Sequence, residues 1–406
     1  MNKTEEPENS RNIEVCKFII EFGKTAHKYG IPDGQLEIYL LRLSKAFGID
    51  GEFRSSPDHL LFAFRTENEY WQKINLTSVS ERGFNMAKLS KLDMLVNNII
   101  SGKLDIDEAQ KQIESLKEIK DPYGKFLTAV SFVLFGSGFA AILSGGWMDI
   151  LWSGVLSLLV YIIKLVSDNS KIIPISTAFA AGFFAVVIKF YIPQLNYVLV
   201  SLSAIIIMVP GYSISVGISE LVKNNIISGM GNLNNGLVYL LKQFTGTWLG
   251  YRIATILAEI PETPANSIDP VWLWLFLPLM LIGLLIIFRI SSKDFVWAFI
   301  CCAIGYLGVV YGSMLLSNNL GILIGATAIS SYAILWERQI GRPGSIVFLP
   351  AVMILVGGSS GFRGLIAAAQ GDAGGQGQFL EMFYIAFTIT AGLVISNTVF
   401  KSKGNL

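Results

Sequence analysis

Five ionisable residues fall inside or beside long apolar stretches: Glu220, Lys242, Arg252, Arg363 and Glu381. A charge in lipid is costly, so each must pair, reach an interface or line a polar path. Two of the stretches also carry groups suited to hold a small polar molecule. "IIIMVPGYSISVGISELVKNN" (205–225) sets Pro210 and Gly211 in an apolar run and follows them with Ser213, Ser215, Ser219 and Glu220. "SIVFLPAVMILVGGSSGFR" (345–363) sets Pro350 in a second run and follows it with Ser359, Ser360 and Arg363. Proline removes a backbone donor and clashes with the preceding turn. Freed carbonyls are tolerated in a bilayer only against protein or a water-filled cavity. A broken helix therefore offers backbone groups and half-helix ends to a polar ligand, with the serine hydroxyls beside them. Arg363 could attract a carboxylate on that ligand. Lys242, mid-span, calls for a partner or a function, whereas Arg252 suits an interface. The plainer alternative is a packing kink whose serines bond their own helix.

Other chemistry is poorly supplied. His27 and His59 are the only histidines, and neither has metal-ligand spacing to a cysteine or carboxylate. "SSPDH" (55–59) holds serine, aspartate and histidine, but in consecutive residues that read as a turn and not a triad. Cys16, Cys301 and Cys302 read as small apolar residues in a reducing or lipid setting. There is no "GxxxxGK[ST]" loop for ATP. No cofactor, metal or catalytic residue is expected, and the chain is not expected to be an enzyme. No histidine lies in the apolar region, so proton coupling would fall to Glu220 or Glu381, because a carboxylate in a water-poor setting takes up protons more readily. Sodium coupling stays open.

The elements that must position these groups follow from composition. The chain has 406 residues, 52% of them hydrophobic, and a mean hydropathy of +0.54, beyond an ordinary soluble protein. Of its 61 charged residues, 38 lie in 1–125, so a polar first third precedes a membrane-like remainder. The net charge of +1 gives no argument for nucleic acid. The first ten residues are polar and expected to be frayed, and they do not read as a secretory signal. Helical spacing follows at 13–29, over "GIPDGQLEIYLLRLSKAFGI", at 84–99 and at 101–120, the last capped by Asp105 with Glu108 three residues on. Between them, "GEFRSSPDHLLFAFRTENEYWQKINLT" reads as a pair of strands. This predicts a small α/β domain over 1–125.

A span needs about 20 apolar residues. Ten are expected, at 126–145, 148–167, 172–192, 195–218, 229–258, 271–289, 295–316, 319–336, 345–369 and 378–400. Loops on the N-terminal side carry Lys164, Lys171, Lys223, Arg289, Lys293, Arg338 and Arg342, and the tail Lys401 and Lys403; the opposite loops carry only Lys189. This bias predicts a multi-pass protein of the plasma (inner) membrane with both termini cytoplasmic. Gly246 and Gly250 in "TGTWLG" have the spacing of close helix packing, within the chain or between protomers, so a homo-oligomer is open.

An offset of 140 residues aligns the two broken stretches, with identities at Ile206/Ile346, Pro210/Pro350, Ile214/Ile354, Val216/Val356, Gly217/Gly357 and Ser219/Ser359. It sets span four over span nine. Five spans per repeat is odd, so the expected fold is an α-helical polytopic membrane protein of ten transmembrane helices in two inverted five-helix repeats. The domains are then 1–125, 126–260 and 261–406. Such repeats are typical of secondary transporters, with sites near the midplane where paired helices break.

The chain resembles the threonine/serine exporter family over nearly its full length. "HKYGIPDGQLEIYLLRLSKAFGI", "FRSSPDHLLFAF" and "LSKLDMLVNNIISGKLDIDEAQKQI" resemble its N-terminal domain. "DPYGKFLTAVSFVLFGSGFAAILSGGWMDILWSGVLSLLV" resembles its membrane entry and first two spans. "MVPGYSISVGISELVKNNIISGM" and "FLPAVMILVGGSSGFRGLIAAAQGD" resemble its two broken segments, with Ala351 in place of the usual glycine. The resemblance implies a ten-span exporter of small hydroxy amino acids, threonine or serine, driven by the proton gradient. It aligns Glu220 with the family's acidic residue, usually aspartate, and Asn232 with a position that is basic in many members. Export of small dicarboxylates is the nearest alternative. A membrane-anchored sensor, whose spans only hold a ligand- or partner-binding domain, is a third reading. An intramembrane hydrolase lacks a nucleophile–base pair.

Overall fold

The computed structural model describes residues 5–65, 73–79, 83–167, 169–257 and 266–400. Its first part is an α/β layer pair: helices α1 (Glu5–Lys28) and α2 (Asp33–Ala46), strands β1 (Asp50–Ser55), β2 (His59–Arg65) and β3 (Lys73–Ser78), and helices α3 (Met86–Ile100) and α4 (Ile106–Glu118). The helical spacing puts Phe18, Ile19, Phe22, Leu36, Leu40 and Leu92 into one core. Alternation along β2 adds Leu60, Phe62 and Phe64. Two expectations change here. Residues 5–10, read as frayed, open α1, and the strand pair is a three-stranded antiparallel sheet in the order β1-β2-β3. Lys73–Ser78 adds the third strand, with Ile74 opposite Ala63 and Leu76 opposite Leu61. Asp105 caps α4 by accepting from the Ile106 N–H at 2.7 Å.

The remainder is helical: α5 (Lys125–Ile142), α6 (Trp147–Val166), α7 (Ile173–Tyr191), α8 (Tyr197–Ile205), α9 (Gly211–Val222), α10 (Ile226–Leu257), α11 (Leu273–Ile287), α12 (Ser292–Leu315), α13 (Asn318–Ile340), α14 (Ser345–Leu355), α15 (Gly358–Ala369) and α16 (Gly375–Phe400). Among the described residues, eight helical stretches are long and apolar enough to cross a membrane, α14 and α15 counting as one; α8 and α9, bent by 56° at their break, make a ninth. The expected fifth span falls on α10, which has 32 residues but is not apolar enough to join them. The reason is where its polar residues lie. Ser228, Asn232, Gln243 and Thr247 are buried, while Ile227, Val238, Leu241, Leu249 and Ile253 face outward. Asn234, Asn235, Thr245 and Arg252 are exposed among those apolar residues, so polar groups on both faces lower the average over the helix.

The same pairings occur twice. α7 and α10 run parallel in the first set of five helices, and α13 and α16 in the second. α9 is antiparallel to α10, and α15 to α16. α5 and α11, which open the two sets, pack antiparallel: Gly138 lies against Met280, and Gly283 against the Ser131 carbonyl. Gly246 and Gly250 face the carbonyls of Ile175 and Phe179 on α7, so their spacing serves packing inside the chain.

The repeat offset also changes. Gly211 and Gly358, 147 positions apart, each open a helix of 12 residues. That register pairs Val209 with Val356, Ser213 with Ser360 and Gly217 with Gly364. Pro350 is then not the partner of Pro210. It lies inside α14, and the second break falls six residues later, at Val356–Gly357.

Candidate functional site

At the first break, α8 tightens into a 3-10 turn over Ile206–Met208, closed by Val209 N–H donating to the Ile206 carbonyl at 3.0 Å. Pro210, with no N–H to continue the ladder, precedes α9. At the second, Val356 is extended and Gly357 precedes α15. Neither new helix is capped by a side chain. Their first-turn N–H groups therefore have no partner within the helix, and the ends of α8 and α14 leave carbonyls in the same position.

The breaks cross backbone to backbone. A Cβ placed on Gly211 would stand 3.0 Å from the Gly358 nitrogen, and one on Gly358 would stand 3.0 Å from the Gly211 Cα. Only glycine allows this approach. Beside the crossing is a cavity of about 250 Å³. Its walls are mostly apolar, with Tyr306, Ser359 and Ser360 as side-chain hydroxyls and, among the described residues, no charged side chain. The half-helix ends are thus its main electrostatic features: partial positive charge at N-termini and partial negative charge at C-termini. That suits a small molecule carrying both charges. On α5 the cavity is lined by Phe135, Phe139 and Ile142, and on α13 by Ile322 near its start, so it extends away from the α/β unit.

A second, smaller cavity of about 50 Å³ lies towards the α/β unit, among α9, α14 and α16. Ser215, Ser219 and Glu220 of α9 line it, and Pro32 and Gln35 of the α/β unit close it. Glu220 is 6% exposed and accepts from Asn225 Nδ2 at 2.9 Å. Nine residues of helix put it about 14 Å from Gly211. Two more buried carboxylates stand near. Asp33 accepts from Ser228 Oγ at 3.1 Å and Asn232 Nδ2 at 2.8 Å, and also from Ser55 Oγ. Glu37 accepts from the Ser55 N–H at 2.9 Å and from Arg54 at 3.3 Å. Burial pushes the Glu37 carboxyl above the ordinary carboxylate value, against the Ser55 and Arg54 contacts that pull it down.

The expected residues are therefore divided. Gly211, Ser359 and Ser360 line the central cavity; Ser219 and Glu220 line the smaller one. Ser213 turns towards Gly236 on α10. Pro210 ends the first break, and Pro350 is buried in α14. Arg363 and Glu381 are exposed, and Lys242 is half-buried. Arg252 is exposed, with its guanidinium 4.8 Å from the Trp248 ring centroid. Asp33, Glu37, Ser228 and Tyr306 were not singled out by sequence.

Among the described residues no cluster of histidine, cysteine or carboxylate could hold a metal. In the β1–β2 turn, Ser56 Oγ (2.8 Å) and Asp58 Oδ1 (2.7 Å) do reach His59, but both at Nδ1. A relay needs one partner on each ring nitrogen, so no triad forms. The His59 contact holds the Asp58 carboxyl below its usual range.

These features define a polytopic helical membrane protein with two broken helices crossing at a central cavity and an α/β unit docked on one side. The chain belongs to the threonine/serine exporter family. A family model described as "Putative threonine/serine exporter" matches residues 17–254, and one described as "Threonine/Serine exporter, ThrE" matches residues 274–399. Among curated proteins it is similar to a pheromone-regulated membrane protein 10 of Pichia sorbitophila, 24% identical over 364 residues, 85% of this chain and 36% of the relative. The Candida albicans protein of that name is 24% identical over 85% of this chain and 32% of its own length. An uncharacterized Schizosaccharomyces pombe protein is 24% identical over 85% of this chain and 47% of its own. The chain thus spans about a third to a half of these relatives. No solved structure matches it.

Proposed function

We propose that the protein exports threonine, serine or a similar small hydroxy amino acid from the cytoplasm, coupled to protons. The observation that carries this reading is the crossing of two uncapped half-helix pairs at the central cavity. An amino acid's carboxylate suits the first-turn N–H groups of α9 and α15, and its ammonium suits the carbonyl ends of α8 and α14. Ser359, Ser360 and Tyr306 are the hydroxyls available to its side chain. Among the described residues that wall carries no Lys or Arg, which favours a zwitterion over a dicarboxylate.

In this reading α10, which exposes Ile227, Val238, Leu241, Leu249 and Ile253, is the tenth span. The duplicated pairings and the antiparallel α5–α11 contact support two inverted repeats, 126–260 and 261–406, after a domain of 1–125. The α/β domain and both termini lie in the cytoplasm, and the membrane is the plasma membrane. Glu220, the buried carboxylate of the smaller cavity, carries the proton.

The test is efflux of labelled serine or threonine from liposomes containing the purified protein, with and without an imposed pH gradient. Efflux should follow the gradient in the wild type and lose that dependence in Glu220→Gln. Folded protein that moves neither amino acid would overturn the substrate assignment.

A further inference from the structure

The α/β unit is tied to both sets of membrane helices. Towards the first, Asp33 is fully buried against α10 through Ser228 and Asn232. Next to it, a Cβ on Gly34 would stand 3.4 Å from Glu220 Oε1. The β1–β2 turn adds Pro57, whose Cδ is 3.1 Å from the position of a Gly231 Cβ. Towards the second, the Met86 and Ala87 N–H groups donate to the Phe288 and Arg289 carbonyls, each at 3.1 Å. Phe84 stacks on Phe288 at 4.7 Å, and meets the edge of Tyr212 at 5.6 Å. Tyr212 is the residue after Gly211, so this unit touches the first break itself.

These contacts surround the smaller cavity. α9 gives Gly211 to the central cavity and Tyr212, Ser215, Ser219 and Glu220 to the smaller one. α14 likewise gives Met353–Leu355 to the first and Ser345, Phe348, Leu349 and Val352 to the second. The two cavities are therefore successive along one path. On the side of the α/β unit the path shrinks to about 50 Å³ beneath Pro32 and Gln35; on the other side it holds about 250 Å³.

We propose that the α/β unit is the gate of this path: the first turn of α2, latched by Asp33 to Ser228 and Asn232, closes the smaller cavity over Glu220, and its release opens that cavity to the compartment holding the unit. The proposal rests on the transporter reading. A gate must hold in one state and let go in the other. Hydrogen bonds from a serine hydroxyl and an asparagine amide are weaker than a charge-assisted bidentate pair, and Glu37 and Glu220 add like charge beside Asp33, offset in part by Arg54 on Glu37. Placing an ammonium at position 232 should tighten the latch, and removing the carboxylate at 33 should release it.

The reporter is Ser219→Cys in a Cys16→Ser background, since Cys301 and Cys302 are buried. Its labelling by a membrane-impermeant maleimide is timed from the side of the α/β unit in oriented vesicles. Asp33→Ala should speed labelling at least tenfold, and Asn232→Lys should leave it at or below the parental rate. Equal rates in all three overturn the gate. Because Asp33→Ala can disturb folding, a second measurement leaves the latch intact: Pro57→Cys and Gly231→Cys are joined by a short reducible cross-linker. Joined protein should stop effluxing threonine and serine and resume on reduction; unchanged efflux while joined overturns the gate. If neither amino acid moves before joining, yet Asp33→Ala still speeds labelling, the gate stands and the substrate assignment falls.

Discussion

Gly211→Ala tests whether the crossing of the two breaks is the centre of the working site. The added methyl would stand 2.1 Å from Val356 Cγ1, 3.0 Å from the Gly358 nitrogen and 3.1 Å from its Cα. Carbon atoms rest about 3.5–4.0 Å apart. The valine can turn away, but the Gly358 backbone cannot, so the crossing must open by about half an ångström or more. Overpacking of this kind costs about 1–3 kcal/mol. If the two access states feel that strain unequally by about 1.4 kcal/mol, their populations shift about tenfold. Gly358→Ala meets the same crossing from the other side, at 2.8 Å from Val209 Cγ1 and 3.0 Å from the Gly211 Cα. Gly377→Ala on α16, with nothing within 4 Å, is the control and should be neutral or slightly stabilising. The assays are thermal melting of the purified protein and amino acid efflux from liposomes. Both cavity-side variants should melt several degrees lower and efflux roughly tenfold more slowly, as worked above. Wild-type melting and efflux in either would refute the reasoning.

Gln243 is fully buried, and among the described residues neither of its amide atoms has a hydrogen-bond partner. Gln243→Leu should therefore raise the melting temperature, by about 1–3 kcal/mol of relieved desolvation; a lower melting temperature would mean that the amide has a partner. Glu37 titrates above the ordinary carboxylate value because it is buried, so the folded state holds its proton more tightly than the unfolded chain. Its contribution is present at acid pH and is lost as pH rises through that raised value; hydrogen exchange of α2 should speed up across this window, and Glu37→Gln should flatten the change. Arg363 is exposed and lines neither cavity. Arg363→Ala should keep efflux within about twofold of wild type, as for a surface substitution, and a large rise in the substrate concentration needed would return it to the site.

How much of this was legible depends on where the cause lies. Hydropathy and periodicity act within one element, so α5 to α7, α11 to α13 and α16 follow from their own residues. Pro210 marks its break because proline stops a helix by local chemistry. Pro350 misleads because it is accommodated within α14. The actual second break needs Gly358 to meet Gly211, a contact across 147 residues that no local pattern contains. α10 escapes an averaged hydropathy because it carries polar residues on both faces, with Ser228, Asn232, Gln243 and Thr247 buried and Asn234, Asn235, Thr245 and Arg252 exposed. Asp33 stands in the first turn of α2, where local sequence gives no sign of a distant contact; its partner Asn232 is 199 residues away. Sequence located the broken segments and Glu220 but could not divide them between two cavities, since that division is made by packing.

The double attachment of the α/β unit, to α10 on one side and to the end of α11 on the other, also bears on how the chain could be divided. The two family models meet the chain as separate stretches, 17–254 and 274–399. Fragments made by cutting between 258 and 265 would each retain a grip on the same docked unit, and α5 would still offer α11 its antiparallel face. Covalent continuity at that point is then dispensable for assembly: the two fragments, made together with different tags, should be recovered as one complementing pair, and recovery of either alone would show that the linkage itself holds the halves in place.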